Sequence, residues 1–96
     1  VDAIIENVSG LEITEDTSAE NTYSIVTSNG KISESGLFDQ LAGLDGLKSI
    51  TVSNGSESAV YTTAGSLDEF KTAVDALCPK DNDAAQVTLT MTVEFN

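Results

Sequence analysis

The sequence predicts an α+β domain: a ferredoxin-like βαββαβ two-layer sandwich, in which two helices lie on one face of an antiparallel four-stranded sheet, with an extra N-terminal strand segment. Three observations predict it: a long alternating pattern at the C-terminus, an amphipathic helix pattern before it, and an Asn-Gly turn between two short strand patterns. The 96 residues suit a single domain. Residues 1–21 are expected to form an N-terminal strand or arm, and residues 22–96 the βαββαβ core.

The N-terminal segment contains two short strand patterns. Ala3–Val8 and Leu11–Thr14 are rich in apolar residues and are separated at Ser9-Gly10, after which the chain becomes a polar, acidic loop from Glu15 to Asn21. We expect this segment to add a strand to a sheet edge, either in its own sheet or in a neighbour's.

The first half of the core is expected to contain a strand and a short helix. Thr22–Ser28 has a strand pattern and precedes a turn at Asn29-Gly30. Apolar residues at helical spacing then follow: Leu37, Phe38, Leu41 and Leu44. The candidate N-caps of this helix are Ser33 and Ser35, and its expected end is near Gly43 or Gly46.

The middle of the chain predicts a β-hairpin. Ser49–Ser53 and Ala59–Thr63 are two short strand patterns, and Asn54-Gly55 between them is a strong hairpin signal. On the first strand Ile50 and Val52 share one face. We expect the apolar Val60, together with Thr62, to match them on the second strand.

A second helix is marked by its capping pattern. Ser66 and Glu69 have the spacing of a capping box, and the residues that follow form an apolar stripe: Phe70, Ala73, Val74 and Leu77. Pro79 is expected to end the helix near Cys78. The stretch Lys80–Ala85 reads as a polar turn.

The last strand is the clearest element. From Gln86 to Asn96, one face carries Val87, Leu89, Met91, Val93 and Phe95, and the other carries Thr88, Thr90, Thr92 and Glu94. The first face is expected to lie on the core. The second is the one candidate interaction face that the sequence offers, because threonines cost less to desolvate than full charges.

A leucine-rich repeat is the alternative architecture. The stretch Leu37–Asn54 resembles such a repeat, and the strings SIVTSNG and SITVSNG recur 25 residues apart. A solenoid, however, needs at least three stacked units. The pattern is not continued, so a strand-turn pattern used twice is the simpler interpretation.

The charge balance restricts the partners. Sixteen carboxylates face four lysines, with no Arg and no His, which gives a formal net charge of −12. The scattered lysines do not form the cationic surface that nucleic acid or an anionic membrane requires, so neither is an expected partner. Basic proteins, divalent cations and a high-salt environment are compatible with this charge.

The sequence predicts neither catalysis nor a cofactor. It has no His to act as a base and no G-x-S-x-G elbow, and its one cysteine, Cys78, is expected to be a small buried side chain. Zinc and iron–sulfur sites are not expected. The densest acidic clusters, Asp81-Asn82-Asp83 and Glu15-Asp16, lack the glycine and glutamate positions of an EF-hand, so no metal site is assigned.

These features predict a non-catalytic structural or assembly protein, such as a virion, filament or cell-surface subunit, that contacts itself or a larger protein assembly; a homo-oligomer is compatible with them. Two alternatives stay open: a small ligand-binding or regulatory module, and an acidic nucleic-acid mimic that inhibits a basic protein. Many Ser, Thr and Asn residues with little Lys favour an extracellular, virion or high-salt setting. The start at Val1 suggests a processed product or an excised domain.

Overall fold

The computed structural model describes residues 4–5, 8, 11–19, 21–27, 32, 35–78 and 86–96. Within this part, the chain is α+β and is built mainly from five strands and two helices. In chain order they are β1 (Glu12–Glu15), β2 (Thr22–Thr27), α1 (Leu37–Ala42), β3 (Leu47–Ser53), β4 (Ser58–Thr62), α2 (Leu67–Asp75) and β5 (Val87–Phe95).

The strands form one sheet in the order β1-β2-β5-β3-β4, and every neighbouring pair is antiparallel. The last strand of the chain therefore lies in the middle of the sheet, between β2 and β3. This position explains its sequence: residues on one face of β5 are buried by the helices, whereas the other face stays polar. The leucine-rich-repeat alternative is wrong, because these strands pair antiparallel and do not stack as parallel coils.

The helix α1 begins after a left-handed residue, Gly36, whose φ of 82° is accessible to glycine without strain. The side chain of Ser35 supports this start, since its Oγ accepts a hydrogen bond from the N–H of Leu37 at 3.2 Å. The same Oγ donates to the backbone oxygen of Ile32 at 2.7 Å. The N-cap is Gly36 itself, so Ser35, one residue earlier, is not the N-cap that the sequence predicted, and the other candidate, Ser33, lies outside the described residues. The helix ends at Ala42 with Gly43 as its C-cap, near the first of the two predicted glycines.

The helix α2 begins at its predicted cap. Ser66 is the N-cap, and its Oγ accepts from the N–H of Glu69 at 3.4 Å. Phe70 and Val74 are buried as predicted, whereas Ala73 is exposed. The helix ends at Asp75, and Cys78 follows in a buried turn; the predicted polar turn Lys80–Ala85 lies outside the described residues.

One hydrophobic core lies between the helices and one face of the sheet. The sheet contributes the fully buried side chains of Ile25, Ile50, Val52, Leu89 and Met91. The two helices meet above them at Phe38 and Phe70, whose ring centroids are 4.8 Å apart and whose ring planes are inclined by 73°, an edge-to-face contact. Tyr61 packs on Phe70 from the sheet side, with 5.8 Å between the ring centroids. This packing holds α1 and α2 on a single face, so neither of these helices covers the opposite face of the sheet, which we call its open side.

Two further expectations about local structure are wrong. Ile4 and Ile5 are helical and Val8 lies outside any strand, so the described part of Ala3–Val8 is not the predicted strand, although Leu11–Thr14 is confirmed nearly in place as β1. On β4, Ala59 and Tyr61 lie opposite Val52 and Ile50, whereas Val60 and Thr62 face away from the core. The four-residue loop from Asn54 to Glu57 fixes this register, and the register, rather than the hydrophobicity of Val60, decides which side chains face inward.

Candidate functional site

The four residues of the predicted interaction face lie together on β5, on the side of the sheet away from the helices. Thr88, Thr90 and Glu94 are exposed, and Thr92 is half-buried. They share this side because alternate residues of a strand point the same way. Since β5 is the central strand, they occupy the middle of the open side of the sheet.

The neighbouring strands extend this surface with more hydroxyl side chains. On β2, Ser24 and Thr22 lie opposite Thr90 and Thr92. On β3, Ser49, Thr51 and Ser53 lie opposite Glu94, Thr92 and Thr90. We call the whole open side the hydroxyl face; its members are Glu12, Thr14, Thr22, Ser24, Val26, Ser49, Thr51, Ser53, Ser58, Val60, Thr62, Thr88, Thr90, Thr92 and Glu94.

The hydroxyl face is almost free of charge. Its two carboxylates are Glu12, on the edge strand β1, and Glu94, near the end of β5. Glu94 also accepts a long hydrogen bond of 3.5 Å from Ser49 Oγ. The centre of the face therefore carries neutral side chains, although the chain as a whole has a net charge of −12.

Several hydroxyl groups of the face already have hydrogen-bond partners within the protein. Thr22 Oγ1 and Thr92 Oγ1 lie 3.4 Å apart across β2 and β5. Ser53 Oγ donates to the backbone oxygen of Glu57 at 3.0 Å. These internal bonds reduce the cost of removing the face from water, because a hydroxyl that keeps a partner does not lose all of its hydrogen bonding when it is buried.

Charged groups concentrate on the helix side and in the turns. Lys71 of α2 and Asp39 of α1 form an ion pair at 2.7 Å, which joins the two helices on their outer surface. The acidic first turn of α2 adds Asp68 and Glu69. The structure thus separates a neutral sheet face from a charged helix side.

The acidic clusters singled out in the sequence do not form a metal site in the described part of the chain, where no group of three or more His, Cys, Asp or Glu side chains converges. Asp16 is used by its own turn: Oδ1 accepts from the N–H of Ser18 at 2.9 Å and from Ser18 Oγ at 2.6 Å. These bonds lower the pKa of Asp16. The other cluster, Asp81–Asp83, lies outside the described residues.

The single thiol, Cys78, is buried, and its Sγ lies 3.8 Å from the backbone oxygen of Val74. Burial, with a smaller contribution from the nearby Asp75 carboxylate, raises the pKa of the thiol. A thiol with a raised pKa stays protonated at neutral pH and is a poor nucleophile.

The surface has three notable concave regions in the described part of the chain. One, of about 410 Å³, lies against the acidic turn of Glu15–Ala19, and another, of about 420 Å³, lies beside Asn21, Glu94 and Phe95 at one end of the hydroxyl face. The third is a narrower groove of about 180 Å³ between β4 and α2. The first two are not the apolar clefts typical of small-molecule sites.

The hydroxyl face is only partly visible in the sequence. The alternation of β5 revealed its central row, whereas the rows on β2 and β3 are added by strand pairing between distant segments.

Among the described residues, no helix has the length and hydrophobicity needed to span a membrane. Comparison with protein-family models, with curated protein sequences and with solved structures found no match to this chain.

Proposed function

We propose that this protein is a non-catalytic structural or assembly subunit that acts through protein–protein contacts, with the hydroxyl face as a docking surface. The observation that carries the proposal is the neutral centre of this face in a chain with a net charge of −12. Burying an unpaired carboxylate is far more costly than burying a hydroxyl, for which protein data give about 1–3 kcal/mol when no partner replaces water. The hydroxyl face is therefore the surface that a protein partner covers at the least cost.

The size of the face indicates the kind of contact. Its five strands, spaced by about 4.8 Å and about 20 Å long, give an area of about 500 Å². A standard stable interface buries about 800 Å² on each partner. The hydroxyl face is thus large enough for one modest contact and too small for a standard stable interface. Such a contact suits a subunit that makes several of them in a repeating assembly, such as a virion, a filament or a cell-surface layer.

We also propose that the segment from β2 to β5 is a βαββαβ unit built from two split βαβ connections. Both β2 and β3 are antiparallel to β5, which separates them, so the two strands joined through α1 are parallel with one strand inserted between them. The same holds for β4 and β5, which α2 joins and β3 separates. The strand order β2-β5-β3-β4, with β1 outside β2, puts the second and fourth strands of the unit in the middle, whereas the predicted ferredoxin-like sandwich has its first and third strands there.

The test is a concentration series of the isotopically labelled chain, from micromolar to millimolar, at low and high salt. We expect the Thr88 and Thr90 methyl resonances to shift with concentration, and light scattering to show association. Thr90→Glu places a charge at the centre of the face and should abolish these shifts. The matched control is Thr17→Glu, an equal charge change in an exposed turn, which should preserve them.

A chain that stays monomeric over the whole range, with unchanged Thr88 and Thr90 signals, would contradict the proposed function. Equal effects of Thr90→Glu and Thr17→Glu would also contradict it, because the loss of association would then reflect total charge rather than the hydroxyl face.

A further inference from the structure

The strand β4 has an open outer edge. It is the last strand in the sheet order, and β3 is its only strand partner in the described part of the chain. The N–H of Asn54 bonds to the backbone oxygen of Glu57 at 3.1 Å. In an antiparallel ladder the bonded pairs alternate, so Ala59 and Tyr61 bond to β3, whereas the backbone groups of Ser58, Val60 and Thr62 point outward.

One group of this row is already used. The backbone oxygen of Thr62 accepts from the N–H of Gly65 at 2.9 Å, in the turn that follows β4. The outward row on β4 thus offers to an incoming strand the N–H and C=O groups of Ser58 and Val60 and the N–H of Thr62.

The edge of β4 also lacks the usual protection. Natural edge strands carry charges, prolines or bulges that prevent pairing with another chain. The opposite edge strand, β1, follows this rule with Glu12 and Glu15. No residue of β4 is charged, and Val60 at its centre is 57% exposed, the most exposed large apolar side chain in the described part of the chain.

We propose that this edge pairs with β4 of a second copy of the chain, antiparallel, with Val60 opposite Val60 on a two-fold axis, so that two sheets become one. The two Val60 residues exchange both of their N–H···O bonds, and the backbone oxygen of Ser58 in each copy accepts from the N–H of Thr62 in the other. The hydroxyl face then continues across the axis.

The second copy is the occupant because the strand is complementary to itself in this register. The small Ala59 lies opposite the large Tyr61 on the helix side, and the hydroxyl residues Ser58 and Thr62 lie opposite each other on the open side. Glu57, the nearest carboxylate along the strand, lies opposite Thr63 of the other copy, so the two Glu57 carboxylates do not face each other. An acidic or basic partner strand finds no complementary charge here.

The groove between β4 and α2 leaves room beside the new strand. It is lined by Tyr61, Gly65, Glu69, Phe70 and Ala73, and its volume is about 180 Å³. On the helix side, the second strand presents Ala59 and Tyr61 towards this space. The Glu69 carboxylates and the net charge of −12 on each copy oppose the pairing, so high salt should strengthen it.

This inference rests on the proposed function, since it names a partner for an assembly protein, but it uses a different surface from the centre of the hydroxyl face. The experiment is sedimentation velocity on the full chain from micromolar to millimolar, at low and high salt. We expect a monomer–dimer equilibrium that salt strengthens. Val60→Lys puts two like charges on the axis and should weaken dimerisation about tenfold or more.

Two further variants test the geometry. Val60→Pro removes only an outward N–H, which an edge strand tolerates, and should also weaken the dimer. Val60→Cys should form a disulfide between copies, because paired residues in a bonded position have Cα atoms about 5.5 Å apart, within the range for a disulfide. The matched controls are Thr17→Lys and Thr17→Cys, in the exposed turn that follows β1 at the other edge of the sheet, which should neither weaken the dimer nor crosslink.

The inference is overturned if the chain stays monomeric at millimolar concentration in high salt, or if dimerisation is unchanged in Val60→Lys and Val60→Pro. Efficient crosslinking of Thr17→Cys in place of Val60→Cys would overturn it as well. Failure here is separable from failure of the proposed function: concentration-dependent Thr88 and Thr90 methyl shifts without a Val60→Cys crosslink would overturn the edge pairing alone.

Discussion

The side chain of Asn54 joins the β3–β4 hairpin to the turn that follows α2, because its Nδ2 donates a hydrogen bond to the backbone oxygen of Leu77 at 3.3 Å. Its Oδ1 accepts from the N–H groups of Ser56 and Glu57 at 2.9 and 2.8 Å. One side chain therefore shapes the hairpin turn and also holds the turn after α2. The Asn-Gly signal in the sequence indicated the first role and gave no indication of the second.

Replacing Asn54 should separate these two roles. Asn54→Ala removes all three hydrogen bonds, and we expect a loss of about 2 kcal/mol in the free energy of unfolding. Asn54→Asp keeps the turn acceptor but places a carboxylate against the Leu77 carbonyl, for an expected loss of about 1–2 kcal/mol. Urea denaturation measures both. Ser56→Ala is the control and should change stability by less than about 0.5 kcal/mol; an equal loss in all three variants would contradict the assigned role.

The glycines of the chain should respond to alanine according to their backbone angle. Gly55 has φ of 96° with no atom within 4 Å of an added Cβ, so Gly55→Ala should cost about 1 kcal/mol from backbone strain alone. Gly43 has φ of −86° and ordinary contacts, so Gly43→Ala should be neutral or slightly stabilising. Thermal unfolding followed by circular dichroism compares the two. The reverse ranking would show that the turn at Gly55 is not left-handed.

Much of the fold was predictable because its signals are local. The alternation around Thr90 marked β5, and the spacing of Ser66 and Glu69 marked the start of α2. The position of β5 between β2 and β3 was not predictable, since strand order depends on pairing between residues far apart in sequence. The facing of Val60 was missed for a related reason: its hydrophobicity suggested the core, whereas the loop length sets the register and directs Tyr61 inward instead.

The candidate site was predictable only in its central row. Thr88, Thr90, Thr92 and Glu94 alternate within one strand, so the sequence displays them as a set. Ser49, Thr51 and Ser53 alternate in the same way, but nothing in the sequence places them beside β5. The open edge of β4 depends on the sheet order in full, and no local pattern encodes that order.

The contact between Phe38 and Phe70 should contribute a measurable coupling energy between the two helices. Phe70→Ala would cost about 3–5 kcal/mol, a large part of the stability of a small domain, which is about 5–15 kcal/mol. The milder Phe38→Leu and Phe70→Leu variants are therefore preferable in a double-mutant cycle. We expect a coupling of about 0.5–1.5 kcal/mol, as found for edge-to-face aromatic pairs. Additive losses within experimental error would contradict a specific ring contact.

The turn at Asp16 should be visible in a titration. Because Ser18 donates two hydrogen bonds to Asp16 Oδ1, the folded carboxyl should titrate below its usual pKa, and Ser18→Ala should return the pKa towards that value. Because the folded pKa is lowered, Asp16 contributes stability at a pH above the pKa of its carboxyl in the unfolded chain. This contribution is lost as the pH falls through the pKa of the folded carboxyl. Carbonyl-detected NMR measures the pKa directly. An unchanged pKa in Ser18→Ala would contradict the turn.

The thiol of Cys78 should be protected until the chain unfolds, and it should make stability depend on alkaline pH. The side chain is only 4% exposed, and burial raises its pKa. Its contribution to stability is therefore fully present below the pKa of the unfolded thiol and is lost as the pH rises towards the folded pKa.

We expect a thiol reagent to modify Cys78 in the native chain only at the rate at which the chain opens, so that urea accelerates the reaction. We also expect Cys78→Ala to remove part of the decline in stability at alkaline pH, whatever its effect at neutral pH. The comparison uses the slope of the unfolding free energy against pH, because Cys78→Ala also leaves a small cavity that lowers stability by a pH-independent amount. Rapid modification of the native chain, or the same slope in both proteins, would show that the thiol is accessible in the folded state.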